Sequence, residues 1–131
     1  MHHELSDNDF EQLIARAIDE LPEKYTENLN NVAITYADMP DADQREKLRL
    51  NNHETLLGLY EGIPLTKRGG NYSMVLPDKI TLFKLPILAS TRDEKGLFDQ
   101  IKHTLWHEIA HFYGLDHDRI DALDRKRAQG A

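Results

Sequence analysis

The sequence contains no cysteine. The chain therefore has no disulfide bond, no thiolate metal ligand and no cysteine nucleophile. No hydrophobic run approaches the roughly 18 residues of a membrane-spanning helix, and the N-terminus has no apolar core of the signal-peptide type. We therefore expect a cytoplasmic protein without a membrane partner, in which histidine and carboxylate side chains hold any metal ion.

Basic residues are the minority of the charged side chains, with 16 Lys and Arg against 23 Asp and Glu and a formal net charge of −7. A nucleic-acid-binding domain usually carries a basic patch, whereas the two basic clusters here, at 67–68 and 124–127, are short. We therefore expect no nucleic-acid partner. With 131 residues, 40% hydrophobic and 30% charged, the chain has the size of one globular unit, and residues 1–131 are predicted to form a single domain.

The hydrophobic pattern predicts a helix in each half of the chain. Behind a candidate N-cap at Ser6, apolar residues recur at spacings of three and four, so a helix is expected from about 7 to 21. A longer helix is expected to begin near 91–93 and to end near Tyr113, with Gly114 as the residue that stops it. One stripe of this helix can bury against a sheet, and it consists of Phe98, Ile101, Leu105, Ile109 and Phe112.

Short β-type runs lie between the two helices. Strands are predicted at 32–36, 56–60 and 79–85, and the last is expected to end at Pro86. The polar segment 41–54 is expected to be a loop. Turns are predicted at 38–41 and 68–71. This order of elements predicts an α+β fold with an N-terminal helix, a small mixed sheet and a C-terminal helix.

Four histidines and one glutamate lie within residues 103–118. His107 and His111 are one helical turn apart, so their imidazoles project from the same side of the helix and can converge on one ion. Both lie more than a right angle away from the centre of the apolar stripe, and Glu108 lies beside them. The long helix therefore has a core face and a separate histidine face, which is the pattern of a metal site.

Zinc suits this set of side chains because it accepts imidazole nitrogen in a tetrahedral arrangement. A catalytic zinc ion has three protein ligands and a fourth position for water. Gly114 allows the chain to turn sharply out of the helix, which could bring His117 back towards the ion. Glu108 is too close in sequence to the two helical histidines to be a comfortable ligand, but it is well placed to accept a proton from the water.

The string His107-Glu108-x-x-His111-x-x-Gly114-x-x-His117 matches the long signature H-E-x-x-H-x-x-G-x-x-H/D of the zincin metallopeptidases. The resemblance implies a compact zincin fold, a bound Zn²⁺ ion and hydrolysis of peptide bonds in a peptide or protein substrate. It assigns His107, His111 and His117 as metal ligands and Glu108 as the general base.

Further stretches resemble the small prokaryotic zincin-like metallopeptidase family, also called minimal zincins. They are residues 58–66, 68–70 and 76–83, and together with the last helix they extend the resemblance over about residues 55–120. In zincins the strand before the active-site helix lies along the cleft edge, where an extended peptide pairs with it. For the strand at 79–85, this edge position and that of an ordinary core strand are both open.

The sequence departs from the wider zincin pattern in two respects. True metzincins carry a Met-turn after the zinc motif, whereas Met1, Met39 and Met74 all precede it. The small family often has aspartate at the position of His117, and Asp116 and Asp118 flank that position here. The third metal ligand is therefore open between His117 and these two aspartates.

Two other classes of function remain as alternatives. One is a non-catalytic or self-inhibited zinc-binding regulatory domain, which the small size of the chain favours. The other is a zinc-dependent endoribonuclease with a similar histidine-rich helix, although that family typically has no glutamate at the position of Glu108. Tyr72 and Tyr113 are candidates for stabilising an oxyanion, but each is more often a structural residue. The oligomeric state is open.

Overall fold

The computed structural model describes residues 5–29, 31–50, 56–62 and 78–115. Their secondary structure comprises α1 (Asp7–Glu20), α2 (Glu23–Thr26), β1 (Val32–Ala37), α3 (Ala42–Lys47), β2 (Gly58–Glu61), β3 (Asp78–Phe83), α4 (Lys84–Ala89) and α5 (Glu94–Phe112). The predicted α+β class is confirmed. The turn predicted at 68–71 and the tyrosine at 72 lie outside the described residues.

The described strands form one mixed sheet in the order β1-β3-β2. β1 runs parallel to β3, with Ile34 opposite Ile80, and β2 runs antiparallel to β3, with Tyr60 opposite Ile80. β3 is thus paired on both sides, and it is an ordinary core strand. Of the two positions left open for the strand at 79–85, the described sheet has the core position, because β1 and β2 are its outer strands.

The N-terminal helix forms where the apolar spacing predicts it. The Ser6 hydroxyl accepts a hydrogen bond from the backbone N–H of Asp9 at 3.1 Å and caps α1. The spacing of three and four places Phe10, Ile14 and Ala17 on the buried side of the helix. Burying a side chain of the size of Phe10 contributes about 2–3 kcal/mol, so this face holds α1 against the rest of the core.

The core lies between α1, α5 and one face of the sheet. All five residues of the apolar stripe predicted for α5 are buried, and Ile101, Leu105 and Ile109 are completely inaccessible. They share one hydrophobic cluster with Ile80 and Leu82 of β3. No helix in the described part of the chain is both long enough and apolar enough to cross a membrane.

The polar segment predicted as a loop at 41–54 instead contains the helix α3. The Asp41 carboxylate accepts from the Gln44 backbone N–H at 2.7 Å, and the Gln44 side-chain oxygen accepts from the Asp41 N–H at 2.9 Å. This capping box satisfies two donors that a short helix otherwise exposes. The Gln44 amide also donates to Glu61 of β2 at 3.1 Å, so a local cap and one tertiary contact stabilise the helix. Residues 51–54 lie outside the described part.

The strand predicted to run to residue 85 and to end at Pro86 is shorter, and Pro86 belongs to a helix. β3 ends at Phe83, and α4 starts at Lys84. Pro86 lies in the first turn of α4, where a backbone N–H has no partner within the helix, so the missing donor costs little. The buried Lys84 ammonium forms an ion pair with Asp7 at 2.9 Å, which ties the start of α4 to α1.

Candidate active site

α5 presents His107 and His111 on one side, one turn apart. Their ring centroids are 4.8 Å apart with an angle of 75° between the planes, and both side chains are half-buried. His103, one turn earlier, is exposed, and its ring centroid is 6.5 Å from that of His107. The helix therefore brings the two predicted ligands of the H-E-x-x-H motif together at a partly open surface.

The turn predicted after the helix is confirmed. Gly114 has a φ of 79°, a left-handed conformation that favours glycine. Its N–H donates to the carbonyl of His111 at 2.9 Å, and the N–H of Leu115 donates to the carbonyl of Ala110 at 3.1 Å. This pair of bonds is a Schellman motif, which ends the helix directly after the second histidine.

The three candidates for the third ligand, Asp116, His117 and Asp118, lie outside the described residues. Within the described ranges, no group of three His, Cys, Asp or Glu side chains could hold a metal ion. The two described ligands, His107 and His111, fit zinc because two imidazoles one turn apart match its preference for nitrogen ligands. A site with three protein ligands therefore needs a ligand from outside the described residues.

Glu108 lies between the two histidines in sequence but faces the sheet. Its side chain is only 7% exposed and packs beside Gly58 of β2, where its Cγ would be 3.3 Å from a Cβ built on the glycine. Burial raises the pKa of the Glu108 carboxyl from its ordinary value of 4.5 to about 7, and a hydrogen bond from the Tyr60 backbone N–H partly opposes this shift. The carboxylate can therefore gain or lose a proton near neutral pH.

The register of β2 explains how the Tyr60 N–H reaches Glu108. The N–H of Phe83 donates to the carbonyl of Leu57 at 2.9 Å, so these two residues form a hydrogen-bonded pair of the antiparallel ladder. Because such pairs alternate along antiparallel strands, the backbone groups of Gly58 and Tyr60 point away from β3. Glu108 therefore binds to the outer edge of β2.

A cavity of about 230 Å³ lies between β2 and α5 next to these groups. Its lining comprises Leu56, Leu57, Gly58, Gln100, His103, Thr104, His107 and Glu108. A larger cavity of about 810 Å³ lies between α1 and the start of α5, but it contains none of the candidate site residues. The small cavity, which His107 and Glu108 line together, is therefore the candidate cleft.

Tyr60 anchors the edge strand at the other end of the cleft. Its phenol donates to the buried carboxylate of Asp78 at 2.6 Å, and its ring packs edge-on against Phe112 with centroids 6.1 Å apart. No motif in the sequence indicates a role for Tyr60 or Asp78. Glycine and tyrosine in the stretch 58–66 were part of the resemblance, but no sequence pattern indicates which backbone N–H faces the glutamate.

Tyr113, one of the two oxyanion candidates, has a structural contact. Its phenol donates to the backbone carbonyl of Tyr25 at 2.8 Å, and its ring packs edge-on against that of Tyr25 with centroids 6.0 Å apart. Burial raises the pKa of the Tyr113 phenol. This contact joins the end of α5 to α2 and leaves the hydroxyl directed at the protein backbone.

The site and fold define a class of protein: an α+β domain whose last helix carries H-E-x-x-H, with the glutamate at the edge of a mixed sheet. A family model described as zincin-like metallopeptidase matches residues 29–127. The match covers well over half of the chain, and the chain belongs to this family, as the resemblance predicts. Membership indicates a zinc-dependent hydrolase of peptide bonds. No curated protein matches the chain.

Proposed function

We propose that this protein is a zinc peptidase in which His107 and His111 are metal ligands and Glu108 is the general base. One observation carries the proposal: the Glu108 carboxyl is buried at the cleft between β2 and α5, which His107 also lines, and its pKa is raised to about 7. A strongly shifted carboxyl in a cleft is typical of catalytic acids and bases. The same helix supplies two nitrogen ligands one turn apart, which supports metal-assisted hydrolysis at this cleft.

The third ligand in this proposal is His117, with Asp116 and Asp118 as its alternatives. The Schellman motif at Gly114 ends α5. Gly114 lies three residues after His111, and His117 follows Gly114 by another three residues, so a turn at this point supports the assignment. When bound, zinc would supply a Lewis acid that polarises the scissile carbonyl and makes water a stronger nucleophile at neutral pH.

Glu108 moves the protons in this mechanism. With a pKa of about 7, its carboxylate can accept a proton from the attacking water and return it to the leaving amine. Leu57 and Gly58 line the cleft together with Glu108, so part of the wall around the carboxyl is apolar. A buried carboxyl is also held in one orientation, which favours transfer over a short distance.

The outer edge of β2 is the surface on which an extended substrate would lie. The backbone groups of Gly58 and the carbonyl of Tyr60 point away from β3, so a peptide can pair with them as an added strand, while the Tyr60 N–H stays bound to Glu108. This assigns to β2 the role that the sequence analysis considered for β3. Main-chain pairing there would place the scissile bond beside Glu108 and the two histidines.

The first experiment measures metal content in purified variants. His107→Ala and His111→Ala should lose zinc, while His103→Ala, on the same helix, should retain it. Alanine variants of Asp116, His117 and Asp118 then identify the third ligand as the one whose loss removes zinc. Full zinc content in His107→Ala would reject the metal site.

The second experiment measures turnover of a mixed peptide library with and without a chelator. Glu108→Gln should keep its zinc and lose at least about 100-fold in kcat, the usual contribution of a general base. Glu94→Gln, the same substitution at an exposed position of α5, is the matched control and should leave kcat unchanged. Equal turnover in Glu108→Gln and the wild-type protein would reject the assigned base.

The same assays separate the alternatives. Stoichiometric zinc without peptide turnover in any condition would indicate the non-catalytic or self-inhibited zinc-binding domain. Chelator-sensitive cleavage of RNA without cleavage of peptides would indicate the endoribonuclease. Both outcomes would overturn the peptidase proposal.

A further inference from the structure

The backbone of β2 lies unusually close to α5 at one point. A Cβ built on Gly58 would lie 2.6 Å from Cγ2 of Thr104, a separation that real Cβ atoms essentially never show. The same Cβ would be 3.3 Å from Glu108 Cγ and 3.3 Å from Leu82 Cδ2. Any residue other than glycine at this position would therefore require the Thr104 side chain, the strand or the helix to shift.

Thr104 has little freedom to move out of the way. Its side chain is 4% exposed, and its hydroxyl accepts a hydrogen bond from the Gln100 side-chain amide at 2.9 Å. Rotating the side chain to relieve a contact at Cγ2 would break this bond within a packed region. The close contact therefore depends on both residues: Gly58 has no Cβ, and the space is filled by the methyl group of Thr104.

The contact lies at the same place as the hydrogen bond to the candidate base. Thr104 is one helical turn before Glu108, and Gly58 is two residues before Tyr60, whose outward N–H donates to the Glu108 carboxylate. Moving β2 away from Thr104 therefore lengthens this hydrogen bond directly. A shift of several tenths of an ångström is enough to weaken it, because hydrogen bonds are confined to a narrow range of distance and angle.

We propose that Gly58 and Thr104 are positioning residues: their close contact sets the distance between β2 and α5 at which the Tyr60 N–H holds the Glu108 carboxylate in the cleft. The functional consequence rests on the proposed role of Glu108 as the base. The positioning of the Glu108 carboxylate does not depend on that role, since it concerns only contacts within this chain.

The test follows hydrogen exchange of the Tyr60 amide in metal-free protein by NMR. In the wild-type protein this amide should exchange slowly, because Glu108 accepts its hydrogen bond. Gly58→Ala should speed exchange by at least about fivefold, the effect of losing about one ordinary hydrogen bond. Thr104→Ser removes only Cγ2 and retains the hydroxyl, so Gly58→Ala/Thr104→Ser should return the rate most of the way to wild type. Thr104→Ser alone removes the methyl group without adding a clash, so it should speed exchange by less than Gly58→Ala does.

Two substitutions of the acceptor test the hydrogen bond without altering the strand. Glu108→Gln keeps a side-chain oxygen that can accept, and the Tyr60 amide should remain slow. Glu108→Ala removes the acceptor, and exchange should quicken as in Gly58→Ala. If Gly58→Ala does not fold, this pair and the double variant still decide the proposal.

The outcomes distinguish this proposal from the peptidase proposal. An unchanged Tyr60 exchange rate in Gly58→Ala, or no recovery in the double variant, overturns the positioning role even if the protein is an active peptidase. Conversely, if the protein cleaves no peptide, the exchange rates of the Tyr60 amide still test whether Gly58 and Thr104 position the strand. In an active enzyme, Gly58→Ala should lower kcat at unchanged zinc content, with recovery in the double variant. A kcat equal to wild type would also overturn the proposal.

Discussion

The ionisation of Glu108 should control how the stability of the metal-free protein depends on pH. Burial raises the pKa of this carboxyl from 4.5 in the unfolded chain to about 7 in the folded protein. The folded state therefore binds the proton more tightly than the unfolded state does. It follows that Glu108 favours folding most below pH 4.5, and that this contribution declines as the pH rises and is fully lost above about pH 7.

The size of the effect follows from the two pKa values. At about 1.4 kcal/mol for each pKa unit, the full difference corresponds to about 3 kcal/mol, and Glu108 needs little correction for solvent because it is only 7% exposed. Between about pH 5 and about pH 8, roughly 2.5 kcal/mol of this should be lost. For a small domain that is a considerable part of a total stability of about 5–15 kcal/mol.

The measurement is urea denaturation of metal-free wild-type protein and Glu108→Gln at a series of pH values, with chelator present. Because glutamine cannot ionise, the variant should gain about 2.5 kcal/mol on the wild-type protein as the pH rises from about 5 to about 8. Glu94→Gln, at an exposed position of α5, should follow the wild-type curve. If the curves for wild type and Glu108→Gln run parallel across this range, Glu108 is not a buried carboxyl of raised pKa.

Three further predictions concern stability and use the same denaturation assay. Asp93→Ala removes the cap bond to the Gly96 N–H, 2.7 Å long, and should cost about 1 kcal/mol, whereas no loss would mean that the start of α5 is held by packing alone. Ile109→Ala opens a cavity at a fully buried position and should cost about 2–5 kcal/mol, and a cost below about 1 kcal/mol would contradict its core position. Tyr60→Phe loses the phenol bond to Asp78 and should cost about 1–3 kcal/mol, and equal stability would show that this bond does not anchor β2.

The helices α1 and α5 were predictable because their signals are local. The apolar spacing that starts at Phe10 and the stripe on α5 both repeat with the helical period, and both faces are buried as predicted. Ser6 and Gly114 mark helix ends through hydrogen bonds to residues three to five positions away, so the sequence around them is sufficient. The spacing of His107 and His111 belongs to the same class of local signal.

The predictions of secondary structure were wrong where the local sequence signal was weak or where a contact with a distant residue stabilises the element. The segment 41–54 is polar throughout, and its helix depends on a capping box and on the contact from Gln44 to Glu61, which lies in another element. Pro86 was interpreted as the end of a strand, but proline is equally acceptable in the first turn of a helix. The sequence around Pro86 does not decide between these two interpretations, and in the folded protein Lys84 at the start of this helix contacts Asp7, 77 positions away in sequence.

The assignment of a single domain to residues 1–131 stays a prediction, as do the cytoplasmic location and the identity of the third ligand. Family membership accounts for zinc and for peptide hydrolysis as a class of activity. The roles of individual residues rest on the geometry around Glu108. The variants described above test those roles one at a time.

By itself, the sequence determined the position of the long helix and the placing of His107, Glu108 and His111 along it, because helical neighbours are set by a spacing of three or four residues. Only the tertiary structure decided that β3 is central, that β2 borders the cleft and that the Tyr60 N–H binds Glu108. The physical reason is that strand order and register depend on pairing between distant segments, and no periodicity within one strand specifies its neighbours. The raised pKa of Glu108 has the same origin, since a neighbouring strand buries it.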